Sequence, residues 1–480
     1  MSRFPSLLIR PDAFIPQGAF AAAQAAYLEP DPADVQRLRA ELARLDAGVV
    51  AHFYMDPELQ GVLMACDWPH IAISDSLAMA DAAVEMARGG AKVIYVLGVD
   101  FMSENVRAML DAAGFEDIIV YRVDERAIGC SLAESAEAPA YAAWLQKAAS
   151  VPRSLHVVYV NTSLRTKAYA HSKVPTITCT SSNVVKTVLS AAAQIEDVHV
   201  WYGPDTYMGR NLRALFTQLA EMPDSAVQAL HPDHTAATVR ALLDRFHVFR
   251  QGMCVVHHMF GADVAAQVRE QHADAFVSAH LEVPGAMFEL ALERQAEGTG
   301  VVGSTSNILG FITRTIDEAI AAGEATRLPF VLGTEAGMIT SIVRATRARL
   351  QANVDNGGPD IEVEIIFPVA GAAVAQVDDP ELALVPGVAA GEGCAVEGGC
   401  ATCPYMKMNS LDALLGLMSR PQLRDALRPF EPEPYRERIG GRTVAEVGAE
   451  SILHMRHFQR EGALSAELVA DVKARNQGAA

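Results

Sequence analysis

Long apolar runs are missing from this 480-residue chain. The longest, such as Val93–Val99, fall far short of the roughly 20 residues that a membrane helix needs, so no membrane span is expected. Basic charge is scarce as well: 39 Lys and Arg stand against 58 Asp and Glu, giving a net charge of −19. Nucleic-acid binding requires a basic footprint, so no nucleic-acid partner is expected. Small anionic substrates stay open, because an acidic shell can surround a local anion pocket. Aromatic residues are few, whereas half of the chain is hydrophobic, mostly Ala, Val and Leu, as in an α/β enzyme. Cysteines number seven, an odd count, and the opening segment Met1–Pro11 has neither an apolar core nor a small-residue cleavage site. Together these features argue against a secreted disulfide framework and for a reducing cytoplasm.

What the chain does have is a repeat. Three times it runs through an apolar strand ending in polar residues, a Ser/Thr turn, a helix, an apolar strand with an acidic residue, and then a cysteine. The first pass holds Val49–Tyr54, Ser74–Ser76 and Val93–Met102, with Ile118–Val123 ahead of Cys130. The second holds His156–Asn161, Thr180–Asn183, Val198–Met208 and Val248–Cys254, and the third Ala275–Glu282, Ser304–Asn307, Phe330–Met338 and Ile361–Phe367, with a Cys-rich segment ending at Cys403. Gly98-x-Asp100, Gly203-x-Asp205 and Gly333-x-Glu335 rhyme at equivalent places. Repeats in fixed order mark one architecture reused. The expected fold is therefore α/β: three pseudo-symmetric small parallel-sheet units around a central metal site. Boundaries fall at 1–32 for an N-terminal arm, 33–130, 131–254 and 255–403 for the units, and 404–480 for a helical tail.

Ligands of parallel α/β units gather beyond the carboxyl ends of the strands. That rule selects His52, Tyr54, Tyr159, Asn161, His280 and Glu282. It also selects the turn hydroxyls Ser76, Ser181 and Thr305, near helix starts where free amides favour anions. Taken singly, each hydroxyl reads as a helix cap and each cysteine as a small buried hydrophobe, which is the reading kept for Cys66 and Cys179. Cys400 and Cys403 alone are ambiguous between a redox pair, half a zinc site and an iron–sulfur ligand, and no second Cys/His pair follows at short spacing, although His257 and His258 lie further off. Recurrence in all three units favours function: three thiolates would hold a cluster and leave one coordination position open.

Seven segments carry a resemblance: Ala51-His52-Phe53-Tyr54-Met55-Asp56-Pro57-Glu58, Ser74-Asp75-Ser76-Leu77, Tyr159-Val160-Asn161-Thr162-Ser163, Thr180-Ser181-Ser182, His280-Leu281-Glu282, Gly303-Ser304-Thr305 and Cys403-Pro404-Tyr405-Met406. In this order they closely resemble the quinolinate synthase family of NAD biosynthesis, from about Ala51 to Leu414. The resemblance implies a transferase that condenses iminosuccinate (iminoaspartate) with dihydroxyacetone phosphate to quinolinate, phosphate and two waters. It implies a [4Fe–4S] cluster held by Cys130, Cys254 and Cys403 as a Lewis acid. The substrate-binding positions it implies are His52, Ser76, Tyr159, Asn161, Ser181, His280, Glu282 and Thr305, with Tyr54, Glu282 and His280 as catalytic candidates. L-Aspartate oxidase is the functional partner it implies. Bacterial members often carry a compact Cys-x-x-Cys-x-x-Cys, whereas Cys394 here stands apart from Cys400, which leaves Cys403 as the ligand anchored by its Pro-Tyr-Met context. Two other classes fit an open iron: an aconitase-type hydro-lyase and an iron–sulfur redox sensor. A sensor has no need of three hydroxyl cradles, and binding of a phosphorylated triose separates a hydro-lyase from a synthase.

Overall fold

The computed structural model describes residues 4–254, 260–368, 403, 405–421, 423–433 and 435–475. Cys394, Cys400, His257 and His258 lie outside the described residues. The chain forms two compact units, one of Met1–Ser74 with Val255–Ala426, the other of Asp75–Cys254 with Leu427–Ala480. Both are α/β, built on small parallel sheets.

In the first unit, strands Gly300–Gly303, Phe276–His280, Thr326–Gly333 and Ile361–Ile366 lie side by side in parallel. Their apolar side chains pack on Phe311, Ile312, Ile342 and Leu350 in one buried cluster, and helix Gly285–Ala296 packs on strands Phe276–His280 and Gly300–Gly303, as near-continuous hydrophobic runs require. Residues of the expected N-terminal arm add an antiparallel hairpin to the same sheet: Ser6–Ile9 pairs with Ile361–Ile366, and Phe14–Gln17 pairs with Ser6–Ile9. Pro16 is tolerated because that strand is at the edge. A further parallel pair joins Ala47–His52 to Ile71–Ser74, with His52 opposite Ser74.

In the second unit a four-stranded parallel sheet runs in the order Phe246–Val248, His199–Gly203, Ser154–Tyr159, Thr176–Cys179. Strands Val93–Leu97 and Ile119–Arg122 also pair in parallel. Tyr141, Leu145, Trp201 and Phe249 fill a core on one side of this unit. His156 is fully buried there, its Nε2 hydrogen-bonded to the Tyr141 hydroxyl at 2.8 Å. The tail belongs to this unit through helix Val444–Glu461, which a Thr443/Glu446 capping box starts and Gly462 ends at φ 71°. No helix among the described residues is long and apolar enough to cross a membrane.

Candidate active site

Three apolar strands each end on a polar ring and turn at once: Ala47–His52, Ser154–Tyr159 and Phe276–His280. The expected strands ran two residues further, through Tyr54, Asn161 and Glu282. For two of them the reason is local. His52 Nδ1 accepts the Tyr54 amide at 3.1 Å, and His280 Nδ1 accepts the Glu282 amide at 3.4 Å. An imidazole that takes the amide two residues on closes a turn in place of the next ladder bond. Because Nδ1 accepts, the proton of each neutral ring sits on Nε2, making that nitrogen a donor.

Both rings are neutral at physiological pH. Burial, aided by the charge His280 would carry, lowers His52 to about 3. Burial alone lowers His280 to about 4. The His52 and Tyr54 rings meet edge-on with centroids 4.7 Å apart. Burial first, then the carboxylates of Glu282 and Glu335, push the Tyr54 phenol well above its ordinary value, while the Thr334 and Thr305 hydroxyls beside it pull the other way. Glu282 and Glu335 are themselves only 2 % and 3 % exposed. Tyr54 is thus a protonated phenol at neutral pH. Thr305 reaches it from the first turn of helix Thr305–Ala322, whose N-terminus is closed by a Ser304/Asn307 capping box.

The Tyr54 turn is clamped from behind. Gln60, fully buried, donates from Nε2 to the Phe53 carbonyl at 2.6 Å, to Met55 at 3.2 Å and to Gly337 at 2.8 Å. A Cβ at Gly337 would stand 2.4 Å from the Phe53 oxygen and 2.6 Å from the Tyr54 Cα. Backbone has no way to yield to that contact without carrying Tyr54 with it. Gly337→Ala is therefore expected to lower kcat by about 10²-fold, the usual effect of a 1 Å misplacement. Steady-state kinetics on the folded variant check this, and an unchanged kcat would show that the turn repositions freely.

In the second unit, Tyr159 ends its strand almost buried, and Asn161 and Ser181 are half-buried in the turns that follow two neighbouring parallel strands. The Ser181 turn is knotted by Thr180 N–H to Asn183 Oδ1 at 2.9 Å and by the Thr180 and Ser182 hydroxyls at 2.8 Å. Ser76 opens helix Ser76–Arg88, but the expectation of free amides there fails in part: Asp75 already accepts those of Leu77 and Ala78 at 3.0 and 2.9 Å.

Cys130 immediately precedes helix Ser131–Glu137, and Cys254 follows Met253, which lies against the start of that helix. The Ser131 hydroxyl donates to the Met253 carbonyl at 3.5 Å, so the two thiol-bearing segments touch. Both cysteines are half-buried, as is Cys403 of the first unit, whose carbonyl accepts the Lys407 amide. Among the described residues, no group of three or more His, Cys, Asp or Glu stands ready to hold a metal ion. Donor type and accessibility nonetheless suit iron: soft thiols, partly open, two of them on adjoining segments. Cys66 and Cys179 are buried, and burial raises both thiols, as inert core cysteines require.

A family model described as NadA, Quinolinate synthetase A protein, matches residues 33–355. The chain belongs to the quinolinate synthase family of enzymes. "Quinolinate synthase, chloroplastic" of Nicotiana tabacum is 51% identical over 487 residues, covering 99% of this chain and 68% of its own length. The protein of the same name from Arabidopsis thaliana is 51% identical over 483 residues, covering 98% and 67%. A Cyanothece quinolinate synthase is 29% identical over 320 residues, covering 66% of this chain and 77% of its own. The chain thus spans about two thirds of the length of these plant relatives.

Within the first unit the structure brings together His52, Tyr54, His280, Glu282 and Thr305; within the second lie Ser76, Tyr159, Asn161 and Ser181. Four residues of the first unit were not singled out as site residues by the sequence: Thr334 and Glu335 beside the Tyr54 phenol, and Gln60 and Gly337 behind its backbone. The rhyme of Gly333-x-Glu335 with Gly203-x-Asp205 was the available signal for Glu335. Gln60 had none, since nothing in a sequence marks which helix residue reaches back to a turn.

The buried imidazoles set an acid limit. His52, His156 and His280 have folded values of about 3, 3 and 4 against 6.5 in the open chain. Between pH 6.5 and those values the unfolded chain binds the extra protons, so stability is present above 6.5 and lost as pH falls, by about 1.4 kcal/mol per unit for each ring. Thermal melting is expected to fall from pH 6 to 5, less steeply than the rings alone would give, because the buried Glu104 and Asp205 carboxyls, raised by burial, take up protons in the folded state. A melting temperature flat down to pH 5 would contradict neutral burial.

Proposed function

We propose that the chain condenses iminosuccinate with dihydroxyacetone phosphate to give quinolinate, phosphate and two waters. Atoms balance without an oxidant or reductant, so the residues need only bind, orient and move protons. The observation that carries this reading is the cluster of the first unit: a Tyr54 phenol flanked by Glu282 and Glu335, next to two neutral imidazoles.

Glu282, a buried carboxylate 3.8 Å from His280 Nδ1, takes a proton from carbon beside the triose carbonyl. The Nε2–H groups of His52 and His280 donate to carboxylate or carbonyl oxygens and stay neutral throughout, which keeps them from quenching the neighbouring base. Tyr54 gives its proton to a leaving hydroxyl and is reprotonated through Glu282. Thr305 orients that phenol. Ser76, Tyr159, Asn161 and Ser181 hold carboxylate and phosphate oxygens by charge-assisted hydrogen bonds, worth about 1.5–3 kcal/mol each. Cys130, Cys254 and Cys403 are the proposed ligands of a [4Fe–4S] cluster, which when bound would supply an open iron as Lewis acid.

Iminosuccinate is an unstable imine, so an enzyme that oxidises aspartate, L-aspartate oxidase, would supply it. Cysteine ligands and an iron cofactor suit a compartment that keeps thiols reduced, such as the cytoplasm. The test is anaerobic: purified protein given both substrates should release phosphate and quinolinate in a one-to-one ratio. Phosphate release without quinolinate would replace condensation by simple elimination from the triose.

A further inference from the structure

The turn after strand Ser154–Tyr159 is held by a residue outside the site described so far. Lys167 lies on helix Leu164–Lys173 with no exposed surface. Its ammonium donates to the Val160 carbonyl at 3.0 Å and to the Thr162 carbonyl, the two that flank Asn161. The same turn is tied by the Thr162 amide to Val160 at 2.7 Å, by the Thr162 hydroxyl to the Tyr159 carbonyl at 3.1 Å, and by the Val160 amide to Cys179 at 2.9 Å. An ammonium in a dry interior costs several kcal/mol of lost hydration, offset only by well-placed oxygens, so its position is strongly specified.

The helix that carries Lys167 is in turn fixed by Glu104, 7 % exposed. One Glu104 oxygen accepts the Leu164 amide at 2.9 Å, and the other accepts the Tyr435 hydroxyl of the C-terminal segment. Burial drives the Glu104 carboxyl up and the Lys167 ammonium down, and the attraction between them opposes both shifts. The tail grips this helix at two more points. Arg165 lies 5.6 Å over the Tyr435 ring and pairs with Glu437 at 2.7 Å, while Gly448 packs so close that a Cβ would meet the Leu164 oxygen at 2.5 Å.

We propose that Lys167 is a positioning residue that sets the substrate-facing conformation of Tyr159 and Asn161, and that the C-terminal tail acts on the same turn through Tyr435 and Glu104. This rests on the reading of Asn161 as a substrate-binding residue. It gives the tail, which lies outside the matched residues 33–355, a task in binding. Lys167→Met keeps length and apolar stem and removes the cation; Tyr435→Phe removes one hydroxyl and leaves the ring under Arg165.

The experiment has two arms on anaerobically purified protein. In ligand-free protein, hydrogen exchange at the Thr162 amide should quicken at least about tenfold in Lys167→Met, with the amides of His156–Val158 still protected. In a double-mutant cycle with Asn161→Ala, Lys167→Met should raise the quinolinate dissociation constant about tenfold beside native Asn161 and less than twofold beside Ala. Tyr435→Phe should show the same non-additivity at about threefold, and it carries the test if Lys167→Met does not fold. An equal factor in both backgrounds would make the network purely structural and overturn the proposal. Native protein that binds no quinolinate would overturn the proposed reaction instead. The exchange arm still judges the brace then: unchanged exchange in both variants overturns it.

Discussion

Glu282→Gln is expected to lower kcat by about 10²–10⁴-fold, the scale of general acid–base help, while leaving iron content and folding unchanged. Glutamine preserves shape, and the Glu282 amide still closes the turn onto His280 Nδ1. What disappears is the only atom pair on that turn able to take a proton from carbon. Neutral His280 is a poor substitute, because its conjugate acid at about 4 makes a weak base at physiological pH. Tyr54 is no substitute either, since burial and two carboxylates keep its resting phenol protonated, and a protonated phenol is no base. Single-turnover quinolinate formation under anaerobic conditions separates this loss from any change in product release. Near-normal turnover would remove Glu282 from proton transfer.

A second large effect is expected at the thiols. Cys130→Ala, Cys254→Ala and Cys403→Ala should each abolish the [4Fe–4S] cluster and with it all quinolinate formation, whereas Cys66→Ala and Cys179→Ala should retain iron and sulfide. Their environments argue the contrast: the first three are half-buried, whereas the last two are buried and burial raises their thiols. Iron and sulfide counts on anaerobically reconstituted variants check it. Full cluster retention in Cys254→Ala would remove the second repeat's ligand and with it the one-thiol-per-repeat argument.

Much of this arrangement is legible in the residues because the information is local and repeated. An apolar run reads as a parallel strand, and Ile361–Phe367 reads as a strand to within one residue of the bounds it has in the structure. The strand ends were harder. Period and composition carried the strands on to Tyr54, Asn161 and Glu282, since only a side chain folding back onto its own backbone, as in His52 and His280, stops the ladder earlier. Pro punctuation made residues 1–32 read as an arm, although an edge strand tolerates Pro16. Asp75 shows the reverse failure: the Ser76 helix start was legible as an anion cradle, but the neighbouring carboxylate takes two of its amides. Long-range partners such as Gln60 to Gly337 and Tyr435 to Glu104 leave no mark in sequence spacing and required coordinates.

Isotope tracing tests condensation most directly. Anaerobic protein is incubated with ¹⁵N-iminosuccinate and triose phosphate carrying ¹³C at all three carbons, and the product is read by mass spectrometry. Quinolinate bearing one ¹⁵N and three ¹³C is the predicted result. Absence of that species, with the cluster intact and both substrates recovered, would contradict the account.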